Sequence, residues 1–399
     1  MARYIGTVSR GIRTPIIKDG DDIVEVVVDS VLRAAKADNI PFRDKDVIAI
    51  TEAVVARAQG NYASVDDIAA DVKSKYPDGT IGLVFPILSR NRFAINLKGI
   101  ARGAKKLYLQ LSYPTDEVGN QLIDYDRFEE SGINPWSSVL NEDQYRALFG
   151  ESLHPYTGVD YVKYYRDIVE NEGCEIEIIF ANNPRAILTY TKHVLTCDIH
   201  SRKTNLKRIK AAGAETLYNI ESILSEPVNG SGYNPKYGML GANKATEERV
   251  KLFPRNCQEV VDTIQARLKK ETSKGIEVMI YGDGAYKDPS SKIWELADPV
   301  VSPAYTSGLS GVPSEVKLKY IADNLYADLS GQELTDAVVN FISHKSAADT
   351  GINKEASEGT TPRKISDILG SLADLTSGSG DKGTPVVWIQ GYFDDVADD

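Results

Sequence analysis

The first fifty residues already alternate between extended and helical patterning. "RYIGTVSRGIRTPIIKDGDD" is punctuated by Gly and Pro and reads as strand and turn. Asp21 or Asp22 then supplies a cap for a helix beginning at Ile23, in which Val24, Val27, Val28, Val31 and Leu32 recur at helical spacing. "DVIAIT" (Asp46–Thr51) is a short apolar run bounded by charge, the pattern of a buried strand, and "AVVARAQG" follows it to Gly60. Residues 79–235 differ in texture: they are rich in tyrosine, and strands such as "KKLYLQLS", "CEIEIIFA" and "TKHVLTCDIH" alternate with helices such as "VDYVKYYRDIVE" and "KTNLKRIKAAG". That alternation predicts an α/β unit able to stand as a domain of its own. Beyond Pro235 clear elements return. "CQEVVDTIQARLKK" sets Val260, Val261, Ile264 and Leu268 on one helical face, and "GIEVMI" is a strand. Helices are expected around Glu315–Tyr326 and Thr335–His344, then the helix "ISDILGSLADL", the loop "TSGSGDKGT" and a last strand, "PVVWIQG".

Composition narrows the functional classes. The 399 residues suffice for two or three domains, and 42% hydrophobic with 26% charged residues is ordinary for a packed globular chain. A net charge of −11 argues against non-specific nucleic-acid binding, which needs a basic face. Three cysteines (Cys174, Cys197, Cys257) and four histidines show no spacing of a disulfide framework or zinc site. Neither a secretory leader nor a bilayer-spanning run is legible, so the expected location is cytoplasmic, without membrane partners.

Three stretches could carry chemistry. In Ser377–Pro385, "SGSGDKGTP", glycines would let backbone amides approach an anion and Lys382 would add charge, although a flexible connector has the same composition. In "VMIYGDGAYKDP", Asp283 stands at the end of an apolar strand, where α/β proteins place metal-binding or catalytic carboxylates, but an Asp-Gly turn reads the same. Lys192, Arg202, Lys203, Lys207, Arg208 and Lys210 form a basic cluster that fits either a solvated helix face or an acidic small molecule.

Taken together, six stretches resemble the coenzyme F420 gamma-glutamyl ligases: "TPIIKDGDDI", "DVIAITEAVVARAQG", "GMLGANKATEERVKLFP", "VMIYGDGAYKDP", "DLSGQEL" and "ISDILGSLADLTSGSGDKGTPVVWIQG". They lie in the family's order and at both ends of the chain. The resemblance implies an α+β fold: a ligase-like α/β core, residues 1–78 and 236–399, interrupted by an inserted α/β region, residues 79–235. It implies a homodimer that uses GTP, with Mg²⁺ or Mn²⁺, to join glutamate or a similar amino acid to a small acidic acceptor such as a deazaflavin or folate. The alternative is a non-catalytic or regulatory nucleotide-binding protein that kept this fold. Carried over by position, the nucleotide contacts are Thr14, Pro15, Ile16, Ile17, Glu52, Ala53, Arg57 (a lysine in the family) and Asn243. The loop Ser377, Gly378, Ser379, Gly380, Asp381, Lys382, Gly383 and Thr384 completes them. Of the metal ligands, Asp283 matches; Leu240, Gly284 and Ser379 stand where the family has aspartate, threonine and glutamate. Asp288 and Asp381 are the carboxylates that could substitute.

Overall fold

The computed structural model describes residues 5–155, 157–282, 286–287, 294–295, 301–345, 364–378 and 380–395. It contains helices, a mainly parallel sheet and a mixed sheet, the expected α+β class.

The mixed sheet has five strands in the order Val8–Ile12, Val386–Gln390, Val47–Thr51, Glu277–Tyr281 and Ala304–Tyr305. Strands 47–51 and 277–281 run parallel and the other pairings are antiparallel. Val47 to Ile50 are fully buried because both faces of this central strand are covered. Ile48 and Ile50 pack with Val27, Val28 and Val31 of the helix Ile23–Ala37 and Val261, Ile264 and Leu268 of the helix Cys257–Thr272. Val47 and Ala49 pack with Leu369 and Ala373 of the helix Ile365–Ser377. Removing such an isoleucine from water contributes roughly 2–3 kcal/mol. Asp22 caps the first helix, its carboxylate accepting from the amides of Val24 and Glu25.

The second sheet has six strands in the order Leu140–Asn141, Glu175–Phe180, Lys106–Leu111, Thr80–Val84, His193–Thr196 and Thr216–Asn219. All are parallel except the short edge strand 140–141. The first strand in sequence lies inside the sheet and the chain winds outward from it in both directions, a doubly wound order. Its core also takes in Val65, Ile68 and Val72 of the helix Val65–Lys75 and the segment from Tyr237 to Phe253.

Sequence periodicity overestimated one element. Around Glu315–Tyr326 the helix is a single turn, Leu318–Tyr320, that runs into a π-type turn, Ile321–Leu325. Only Ile321 is buried there, so no apolar face extends the helix.

Candidate functional site

Strand register gathers the candidate residues. Ile12 pairs with Val386, Val386 with Ile50, and Thr51 with Tyr281. Hence four segments leave the same edge of the five-stranded sheet: Thr14–Ile17, the turn at Glu52, Gly282, and the loop that enters at Val386. Backbone bonds tie them together. The Thr14 amide donates to the Gly383 carbonyl (3.2 Å) and the Thr51 amide to the Pro385 carbonyl (3.0 Å). Gly282 donates to Val301 (2.8 Å), and Asp283 itself lies outside the described residues.

The individual side chains differ in availability. Ile16 is 83% exposed, whereas Ile17 is buried in the core beside Ile12. The Thr14 hydroxyl donates to the Pro15 carbonyl (3.0 Å). Arg57 is exposed, in the last turn of the helix that Glu52 begins. Between Ser377 and Thr384 the loop closes on itself, the Thr384 hydroxyl donating to the Ser377 carbonyl (2.7 Å). Gly380–Lys382 forms one 3₁₀ turn, with Asp381 and Lys382 exposed, and Ser379 lies outside the described residues. Gly378 and Gly383 take φ of +64° and +65°, conformations that a Cβ disfavours, and Gly380 does not. Lys382 has no carboxylate partner among the described residues.

Asn243 is connected to the turn at Glu52 indirectly, through a residue the sequence does not single out. It is the cross-strand partner of Lys251, whose ammonium pairs with Glu52 at 2.5 Å. Both side chains of that pair are nearly buried, 12% and 5% exposed. From sequence, Lys251 is only one polar position in a short strand; nothing local marks a partner so distant in the chain.

The donor set for a divalent ion is incomplete among the described residues. Leu240, where the resemblance would put an aspartate, is buried in the core of the six-stranded sheet beside Met239. No three His, Cys, Asp or Glu side chains there are grouped to hold a metal. The described residues therefore do not make the oxygen cage such an ion requires.

The basic cluster resolves toward a solvated face. Lys192 pairs with Glu215 (3.0 Å) and Arg202 with Glu221 (2.6 Å), while the helix Arg202–Ala211 buries only Asn205 and Ile209. His193 shares a hydrogen bond with the Thr216 hydroxyl (3.0 Å).

At the C-terminal edge of the six-stranded sheet, burial raises two carboxyl groups. Asp116 accepts from the amides of Leu88, Val118 and Asn120, yet desolvation still lifts it to about 6. Asp198 is likewise pushed to about 6, first by burial and then by the nearby Glu117 charge, against the Asn205 amide that donates to it. Glu117 itself accepts from the amides of His200 and Ser201, ahead of the helix Arg202–Ala211.

The family model for F420-0:Gamma-glutamyl ligase matches residues 11–391, nearly the whole chain, and the protein belongs to that family. A comparison with curated proteins gives no match. Among the described residues, no helix is long and apolar enough to cross a membrane.

Proposed function

We propose that this chain is a GTP-dependent ligase that joins glutamate or a similar amino acid to a small acidic acceptor, a deazaflavin or a folate. The observation that supports it most is the convergence of Thr14–Ile17, Glu52 and the loop 377–384 on one sheet edge, from segments spread over the whole chain. In this reading an acceptor carboxylate oxygen attacks the γ-phosphorus. The bond from that phosphorus to the β–γ bridging oxygen breaks and GDP leaves. The amine of the amino acid then attacks the acyl carbon, phosphate departs, and the nitrogen loses a proton. The protein's part is to hold the reactants in line and to neutralise charge. Loop amides and Lys382 serve the phosphates. Asn243 is held beside them by Lys251. The enzyme works as a homodimer in the cytoplasm. The buried Leu240 favours a second reading, a nucleotide-binding protein that has given up the chemistry.

Calorimetric titration of GTP and ATP, with and without Mg²⁺, tests this. Wild type is expected to bind GTP, and Lys382→Ala to bind it several-fold more weakly, with a loss that shrinks as salt is raised. Absence of nucleotide binding by wild type refutes both readings. Binding without amide formation, across deazaflavin and folate acceptors, selects the second.

A further inference from the structure

A groove of about 620 Å³ lies between the edge strand Val8–Ile12 and the helix Ile23–Ala37. Three arginines line it, Arg10, Arg13 and Arg33, and none has a carboxylate partner among the described residues. Two are held in place by neutral groups. The Arg10 guanidinium donates to the Gln390 side chain (2.7 Å) and lies 5.8 Å from the Trp388 ring centre. Arg33 donates to the Asp29 carbonyl (3.3 Å) and the Ser30 hydroxyl (3.4 Å). Asp38 is the one acidic lining residue, which leaves the groove net positive on a chain of net charge −11. Trp388, itself fully buried, lies beneath the groove. At one end the groove reaches Thr14 and Pro15, the segment bonded to the Gly383 loop.

We propose that this groove is the subsite for the acidic acceptor, and that it takes a carboxylate-bearing chain rather than the nucleotide. The inference rests on the ligase reading for its direction. A ligand lying in the groove has one end beside the loop assigned to the nucleotide phosphates, where its carboxylate must meet the γ-phosphorus, and its remaining charges along the arginines. Guanidinium forks suit carboxylates, and arginines already fixed by neutral acceptors lose little freedom on binding.

The test compares wild type with the double variant Arg13→Gln/Arg33→Gln, whose fold is checked by circular dichroism and melting. Tri-γ-glutamate, inorganic triphosphate and GTP are titrated into each by calorimetry. The expected result is that tri-γ-glutamate binding falls about tenfold in the variant and that the difference narrows at high salt, with GTP affinity within about twofold. An equal fall for GTP would assign the groove to the nucleotide and overturn the proposal. Equal tri-γ-glutamate binding by both proteins, no binding by either, or a groove that prefers triphosphate also overturns it. If wild type takes no GTP but tri-γ-glutamate still depends on the arginines, the ligase reading fails and the anion groove stands. Should the double variant not fold, Arg13→Gln alone, at an exposed position, carries the same comparison.

Discussion

Lys251 and Glu52 show how much a single contact at the site depends on the fold. The pair lies 199 residues apart in sequence and is nearly enclosed. Removing one member of such a pair leaves a buried charge facing an apolar group, whereas removing both is close to neutral. Lys251→Met is therefore expected to destabilise the protein by roughly 3–5 kcal/mol, and the double variant Glu52→Gln/Lys251→Met by far less. Denaturant unfolding of the two single variants and the double variant measures the coupling. A double variant as unstable as Lys251→Met alone would show that the two side chains are not coupled in this way. The polar residues legible from sequence here, Thr14 and Asn243, stand in stretches that resemble a known family. Lys251 stands in the same stretch as Asn243, but the stretch assigns it no role, because that role comes from a partner that only folding brings near.

Elements were legible where their periodicity was long and their faces unambiguous. The helix starting at Ile23 and the strand Val47–Thr51 appear as expected, because both bury a full apolar stripe or run. The loop after the last helix was legible as glycine-rich but not in which glycines matter. Gly378 closes the helix at positive φ, with Lys382 folded back against it, and Gly383 is also at positive φ as it hands the chain toward the last strand. Gly380 has nothing within 4 Å of a would-be Cβ and an ordinary φ. An alanine at Gly383 must hold a left-handed conformation, at a cost of about 1 kcal/mol, while Gly380→Ala adds no such strain. Thermal melts should show a lower Tm for Gly383→Ala and an unchanged one for Gly380→Ala. Equal melting of the two would mean that the loop relaxes freely and is not set by its backbone.

For the whole molecule, the doubly wound sheet makes stability depend on pH in an unusual direction. Asp116 and Asp198 are raised from an ordinary 3.8 to about 6 in the folded state. The folded chain thus keeps protons that the unfolded chain has released, so their contribution to stability is full below the unfolded value and lost as pH rises through the folded one. Asp198→Asn keeps a side-chain acceptor for Asn205 and removes the ionisation. It should stabilise the protein at pH 7.5 by up to roughly 3 kcal/mol and have little effect at pH 4. Unfolding measured at both pH values decides it; a variant whose gain is the same at each would show that Asp198 does not titrate in this window.

The sequence alone determined the class of fold, most of the long elements and the family, since each rests on local periodicity or on runs of residues read in order. It also supplied the polar residues of the candidate edge as separate stretches. Tertiary structure decided that they share an edge, because strand register is a relation between distant segments. It decided that Leu240 is core rather than a vacant ligand position, since burial depends on what packs against a residue. It also decided that Arg10, Arg13 and Arg33 flank one groove, because an edge strand and a helix must be docked before their charges can be added together.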